Sequence, residues 1–332
     1  MTDTDYMRRA LRLAANGRGL TRSNPMVGAV IAAPDGRIIG EGWHRRYGEA
    51  HAEVNAVASV APADRHLLSE STIYVTLEPC SHYGKTPPCA NLLRDCRFRR
   101  VVVAAGDPNP KVNGRGIAIL REAGIEVDTG LLAIESERLN RVFFTAQRER
   151  RPFVTLKWAR SADGFMDITR APGEPAYRFS TPLTTLSTMR LRAENQAIIS
   201  TAATVEADNA RLSVRQWEGG LDQPLRVVIP HGDRQPWRER LAALFADGVT
   251  SVLVEAGPTF LSHILETGIW DAIRVETSPV ILGEAGSKPA PGVPPRAVEV
   301  ADLRIGPNRV AWYSGNPLFT PGDPLETGPG SV

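Results

Sequence analysis

Gly48-Glu49-Ala50-His51-Ala52-Glu53, answered by Thr76-Leu77-Glu78-Pro79-Cys80 and then Pro87-Pro88-Cys89, is the part of the chain from which the rest can be read. One imidazole and two thiolates make a tripod suited to zinc, with the fourth position left for water. Glu53 follows His51 by two residues, near enough to act on that water without ligating the metal. A water on such a metal has its pKa lowered towards neutrality, and a nearby carboxylate can take its proton and pass it on. Each residue alone has a plainer reading. A lone histidine is more often a core or surface residue, and two cysteines can pair or pack as small hydrophobes. A structural zinc site normally supplies four protein ligands, whereas three with an adjacent carboxylate fit a catalytic one.

Around these motifs the pattern alternates. Upstream, Met7, Ala10, Leu11 and Ala14 share a helical face, and the helix ends near Asn16-Gly17. A short apolar run over 27–32 reads as a buried strand. Pro34-Asp35-Gly36 is a turn signal, and 37–41 completes a hairpin. His51 opens a helix with Val54, Val57 and Ala58 on its apolar side. Strand 72–77 runs into Cys80, and Cys89 starts a helix over 90–96. The ligands would thus fall at the N-terminal ends of two neighbouring helices, whose N–H groups favour thiolate. Strand 100–105, a helix around 117–122, strand 125–128 and a helix over 133–149 follow. Such alternation argues an α/β sandwich with a largely parallel sheet. The charged stretch Arg148-Glu149-Arg150-Arg151-Pro152 marks a boundary, giving domains 1–148 and 149–332. Strands at 153–159, 197–199, 225–229, 251–254 and 273–276, with helices between them, make the second half α/β as well. The proline- and glycine-rich tail after Pro317 is expected to be mobile.

Composition narrows the class. A chain of 332 residues has room for two domains, and 42% hydrophobic with 23% charged residues is ordinary for a soluble globular protein. A net charge of +2 gives no reason to expect nucleic acid, although a few placed cations would serve a small phosphorylated substrate. Three cysteines, two of them in the metal motif, leave only Cys96 over, which points to a reducing compartment. The acidic start lacks a signal-peptide layout and no apolar run reaches membrane length. A cytoplasmic protein with no membrane partner is expected.

An H-x-E element followed by P-C…C is the signature of the zinc nucleobase deaminases. Cytidine and tRNA deaminases usually have P-C-x-x-C, but here the thiols bracket Cys80-Ser81-His82-Tyr83-Gly84-Lys85-Thr86-Pro87-Pro88-Cys89. That loop closely resembles the bifunctional riboflavin-biosynthesis deaminase/reductase family. So do Asn24-Pro25-Met26-Val27-Gly28-Ala29-Val30, Gly40-Glu41-Gly42-Trp43-His44, Gly48 to Glu53, and Asp107-Pro108-Asn109-Pro110 with Gly114-Arg115-Gly116. The resemblance implies a cytidine-deaminase-like three-layer domain followed by a dihydrofolate-reductase-like α/β domain. It implies hydrolytic loss of the 2-amino group from 2,5-diamino-6-ribosylamino-4(3H)-pyrimidinone 5′-phosphate, yielding 5-amino-6-(5-phosphoribosylamino)uracil and ammonia. By that pattern His51, Cys80 and Cys89 hold Zn2+ and Glu53 shuttles protons. Asn24, His44, His82 and Lys85 contact this small pyrimidine ribonucleotide, with Asp107 and Asn109 near its ribose phosphate. A homo-oligomer, dimer or tetramer, is expected.

The second half resembles the family's reductase domain, which uses NADPH to reduce the ribosyl group to ribityl. The matching segments include Leu156-Lys157 with Ser161 to Gly164, Leu191-Arg192, Thr204 to Asn209 with Leu212 to Arg215, and Val254-Glu255-Ala256-Gly257. The resemblance places Thr204 and Asp208 at the nicotinamide cofactor, Arg192 and Arg215 at the substrate phosphate, and Glu255 beside the sugar. Gly257 would open a helix towards the cofactor phosphates, and Lys157 and Leu212 are further candidates. The sequence also departs from the family. Arg178-Phe179 stands for a tryptophan-isoleucine pair, Ala210 for a proline, and Pro230-His231 for an aspartate after the strand. Between 229 and 251 there is room for one helix only. These departures predict a weak or inactive reductase with doubtful use of NADPH; the alternatives are the intact bifunctional enzyme and a side-pathway deaminase on the same intermediate. Rivals from other classes are a tRNA or cytidine deaminase, against which the long loop and large second half argue, and a zinc-stabilised interaction module, in which Glu53 would have no use.

Overall fold

The computed structural model describes residues 1–81, 87–109, 112–171, 174–215 and 222–315. The chain forms two compact units, Met1–Glu149 and Arg150–Val332. The tail expected to be mobile lies outside the described residues. Among the described residues no helix is long and apolar enough to cross a membrane.

In the first unit the elements run α1 (Asp3–Ala15), β1 (Gly28–Ala32), β2 (Ile38–Trp43), α2 (Ala52–Ala58), a 3₁₀ segment (Pro62–Glu70), β3 (Thr72–Leu77), α3 (Cys89–Asp95), β4 (Arg100–Ala105), α4 (Arg115–Glu122), β5 (Glu126–Thr129), α5 (Ala133–Leu139) and α6 (Arg141–Glu149). The sheet order is β2-β1-β3-β4-β5. Alternate residues of each strand face opposite ways. Ala29, Ile31, Ile73, Val75, Val101 and Val103 bury against Ala52 and Ala56 of α2, Leu93 of α3 and Leu120 of α4. Val30, Ala32, Tyr74, Val102 and Ala104 bury against Tyr6, Met7, Ala10 and Leu13 of α1. The result is a three-layer sandwich, in which each fully buried aliphatic side chain contributes about 1.5–3 kcal/mol.

Two expectations need correction. The sheet is parallel only from β3 to β5, because β1 is antiparallel to both β2 and β3. The single helix expected over 133–149 is broken at Asn140. Its side chain accepts the Met26 N–H at 2.7 Å and donates to the Met26 carbonyl at 2.9 Å, as a neighbouring strand would. Helical periodicity carries no trace of that tertiary pairing. Where α2 crosses β2 the helix comes so close that a Cβ on Gly42 would lie 2.3 Å from the Ala56 nitrogen, so only glycine fits there.

The second unit runs β6 (Phe153–Arg160), β7 (Phe165–Ile168), α7 (Pro182–Glu194), β8 (Ala197–Thr201), α8 (Ala202–Asp208), β9 (Leu225–Ile229), α9 (Trp237–Ala246), β10 (Ser251–Val254), α10 (Pro258–Thr267), β11 (Ala272–Thr277), β12 (Gly286–Pro289), β13 (Val298–Ile305) and β14 (Asn308–Ser314). The main sheet has the order β13-β14-β11-β6-β10-β8-β9, parallel from β9 to β11 and antiparallel beyond. One face is apolar: Leu156, Trp158, Val252, Val254, Ile273 and Val275 pack with Leu241 of α9 and Leu261 and Ile264 of α10. The one helix for which 229–251 has room is α9. Phe179, one of the departures from the family pattern, is buried, and its carbonyl accepts the Asn308 side-chain N–H at 3.0 Å.

Candidate active site

In the first unit His51 caps α2, Cys89 is the first residue of α3, and Cys80 follows β3 by a short loop. His51 Nδ1 lies 3.5 Å from Cys80 Sγ and 3.4 Å from Cys89 Sγ. All three donor atoms fall within 4.8 Å of one another. A tetrahedral zinc with Zn–S of about 2.3 Å and Zn–N of about 2.1 Å has an N···S edge of about 3.6 Å, so the donor set fits that ion in type and spacing. The Cys89 backbone N–H donates to Cys80 Sγ at 3.2 Å. The Cys89 thiol, then His51 and that N–H, favour the Cys80 thiolate and pull its pKa down against burial, while the same coupling and burial push Cys89 up.

Glu53, in the first turn of α2, is 3% exposed. Burial pushes its carboxyl up to about 7; the Cys80 sulfur adds to the rise and His51 opposes it. His44 is buried beside the tripod, its ring edge-on to His51 with centroids 5.4 Å apart. Its Nδ1 meets the Ala50 carbonyl at 3.1 Å and its Nε2 meets the Asn24 side-chain nitrogen at 3.1 Å. A carbonyl can only accept, so Nδ1 carries the hydrogen and Nε2 accepts from Asn24. Burial also holds the imidazole below its ordinary pKa, in keeping with a neutral ring. Asn24, His44, His51, Glu53, Cys80 and Cys89 are therefore one constellation. Asp107 and Asn109 form a turn in which Asp107 Oδ1 accepts the Asn109 N–H at 2.8 Å. His82 and Lys85 lie outside the described residues.

In the second unit the polar face of the sheet gathers Lys157, Arg192, Glu255, Arg274 and Glu276. Arg192 grips Glu255 with two parallel bonds of 2.7 and 2.8 Å, and Lys157 Nζ stands 4.0 Å from the same carboxylate. Burial opposes ionisation of Glu255, yet Lys157 and Arg192 hold its carboxyl down at about 2. Burial presses the Lys157 pKa down, with Glu255 opposing. Beside them Glu276 accepts from Asn308 at 2.6 Å and from Ser180 at 3.0 Å. Arg192, expected at the substrate phosphate, is thus committed to Glu255 and to the Ser213 carbonyl at 3.0 Å. Arg274, Glu276, Ser180 and Asn308 escaped the sequence reading. The Arg274-Val275-Glu276 alternation, two charges on one face of an otherwise apolar strand, was the available signal.

The remaining candidates divide. Thr204 Oγ1 accepts the Gly257 N–H at 3.1 Å, joining α8 to the start of α10. Asp208 is held by Arg170 at 2.5 Å, and Arg170 also donates to Asp167 at 2.8 Å. Leu212 is a core residue beside Ile198 and Leu253. Arg215 is exposed, and its backbone N–H meets Met189 Sδ at 3.4 Å. The N-cap of α10, Gly257, makes no side-chain cap bond, and it follows the carboxyl end of parallel strand β10. Helix N-termini at the carboxyl ends of parallel strands are where α/β sheets bind nucleotide phosphates.

Comparison with known proteins follows the same division. Residues 1–105 match the cytidine and deoxycytidylate deaminase zinc-binding region, and residues 152–306 match the RibD C-terminal domain. The chain is 37% identical to the riboflavin biosynthesis protein RibD of Escherichia coli, over 85% of this chain and 89% of that protein. It is 36% identical to RibD of Bacillus amyloliquefaciens, over 84% and 85%. Among solved structures, Acinetobacter baumannii RibD superposes with a TM-score of 0.83 at 31% identity, over 94% of this chain and 98% of that one. A diaminohydroxyphosphoribosylaminopyrimidine deaminase/5-amino-6-(5-phosphoribosylamino)uracil reductase from Thermotoga maritima gives 0.82 at 30% identity, over 94% and 98%.

Proposed function

The chain belongs to the bifunctional riboflavin-biosynthesis deaminase/reductase family, and from that premise we propose that it performs both of two consecutive steps. The first unit removes the 2-amino group of the diaminopyrimidine ribonucleotide by hydrolysis. The second reduces the ribosyl group of the product to ribityl with NADPH. The observation that carries the reading is the convergence of His51 Nδ1, Cys80 Sγ and Cys89 Sγ beside the buried carboxyl of Glu53.

His51, Cys80 and Cys89 would hold zinc, which when bound supplies a Lewis acid that brings the pKa of a water near neutrality. Glu53, buried beside the tripod, is placed to accept a proton and return it to the ring and the departing amine. His44 fixes the Asn24 amide with its nitrogen on the imidazole, which turns the amide oxygen towards the role of accepting a pyrimidine N–H. Asp107 and Asn109 are assigned to the ribose phosphate side.

In the second unit NADPH, when bound, supplies the hydride. Gly257 and Thr204 would receive its phosphates and nicotinamide side. Lys157, a largely shielded ammonium with a lowered pKa, is the proton source for the sugar oxygen released on reduction, and Glu255 with Arg192 fixes its position. An impaired reductase, expected from the departures in sequence, is not our reading. Phe179 is absorbed into the core and Lys157, Arg192 and Glu255 stand together on one face of the sheet, which supports the intact bifunctional enzyme. The test is to give the purified protein the diaminopyrimidine nucleotide and follow ammonia and NADPH separately. Ammonia release followed by NADPH oxidation is expected. Ammonia without NADPH oxidation would confine the protein to the first step, and neither would sink the reading.

A further inference from the structure

Glu78 stands between the end of β3 and the metal-binding Cys80, and the mechanism above assigns it nothing. It is 4% exposed. Its Oε2 accepts the Gly114 N–H at 2.9 Å and the Asp107 N–H at 3.4 Å. Its Oε1 accepts the Gly116 N–H at 3.0 Å and the Ile117 N–H at 3.4 Å. Gly114, the N-cap of α4, has φ of +82° and no side chain with which to cap. Glu78 therefore acts as a cap supplied from a strand end, a negative charge where the helix dipole favours one. Contact on the other side is equally close. A Cβ on Gly116 would lie 2.0 Å from the Pro79 carbonyl oxygen, so the first turn of α4 is pressed onto the backbone that leads to Cys80. Between two of Glu78's anchor points, Asp107 and Gly114, the Asn109 carbonyl accepts the N–H groups of Val112 at 2.8 Å and Asn113 at 3.1 Å.

We propose that Glu78 is a positioning residue: it fastens the turn at 107–109 to the Cys80 loop, so that the phosphate side of the nucleotide is held in register with the metal centre. This rests on the function proposed above. A carboxylate is required because both oxygens must accept. The amide of Glu78→Gln turns an NH2 group onto one pair of backbone N–H groups and releases that side of the loop.

The test uses the full chain loaded with zinc. In Glu78→Gln, zinc stays stoichiometric and KM for the nucleotide rises about tenfold to a hundredfold, the range for losing hydrogen bonds to a charged group, while kcat changes far less. Glu78→Asp, which keeps the charge, recovers part of the loss. Asn109→Ala adds little further loss in the Glu78→Gln background, because Glu78 acts through that turn. Unchanged KM, a fall in kcat at constant KM, or strictly additive losses would each overturn the proposal. If Glu78→Gln does not fold, Glu78→Asp decides by the same readout, and an unchanged KM there overturns it. If the wild type releases no ammonia, the substrate assignment has failed, and amide exchange decides the anchoring separately. The Gly114 and Gly116 N–H groups then exchange faster in Glu78→Asp than in the wild type; equal rates would refute the anchor.

Discussion

In the first unit two sulfurs and an imidazole nitrogen lie within 4.8 Å of one another beside a buried carboxyl raised to about 7, a donor set that favours the Cys80 thiolate and suits a cation. In the second, five ionisable side chains converge and largely satisfy one another, with Arg192 closing two bonds on Glu255 and Glu276 accepting from Asn308 and Ser180. The first set of donors is arranged to take a cation, whereas in the second three cations already face two carboxylates. A metal-dependent site and a self-paired site should therefore fail in different ways.

The sharpest separation comes from Glu53 and the metal. Glu53→Gln is expected to reduce ammonia release by about 10²–10⁴-fold, the usual worth of a placed general acid-base. Zinc content should stay near stoichiometric and NADPH oxidation, with the deaminated nucleotide supplied directly, should be unchanged. Chelating the metal should abolish ammonia release and again leave NADPH oxidation. Loss of both activities on chelation would break the contrast, and loss of zinc in Glu53→Gln would make that residue a ligand.

The second site should fail through stability. Glu255→Gln leaves Lys157 and Arg192 as largely shielded cations with one counter-charge removed, at a cost of up to about 3–5 kcal/mol. Denaturant unfolding of the second unit measures it, and ammonia release by the first should be unaffected. A cost near zero would mean that Arg192 is not committed to Glu255 and is free for substrate, as the sequence pattern implied.

How far each region was legible follows from the same contrast. The metal tripod is written in three short motifs, because each ligand is placed by its own local element. The strands at 72–77 and 100–105 were equally plain, being apolar runs between turn signals. The self-paired cluster was not legible. Arg192 and Glu255 are 63 residues apart, and nothing local says that they meet. Glu78 likewise meets Gly114 across 36 residues, so its motif position gave no hint of its partner. Strand β13 hid for another reason: Val298 and Leu303 are exposed, and an edge strand with so little burial shows no alternation. Asn140 hid inside a helical pattern that it interrupts.

Asn140 offers a milder test on the first side of the contrast, since it supports the Asn24 loop without touching the metal. Asn140→Ala removes both bonds from the buried Asn140 side chain to the Met26 backbone, and unfolding of the first unit should ease by about 1–3 kcal/mol. Zinc stoichiometry should hold. Loss of metal in this variant would show that the tripod is less locally determined than its motifs suggest.

The most gradual effect concerns acid. Glu255 has an ordinary value of 4.5 and is held at about 2 in the folded unit. A carboxyl with a depressed folded pKa stabilises the fold above its unfolded value, and that contribution drains away as pH falls towards the folded value. Between pH 4.5 and about 2 the unfolded chain takes up a proton at this position while the folded unit does not. Stability of the second unit should then fall with a slope of up to about 1.4 kcal/mol per pH unit from this one group. In Glu255→Gln that share of the slope should vanish, although the variant is weaker at neutral pH. Wild type and variant would converge as the acid removes from one what the substitution removed from the other. Parallel acid profiles would mean that Glu255 is not the counter-charge of Lys157 and Arg192, and the distinction between a metal-binding site and a self-paired reductase site would lose its main support.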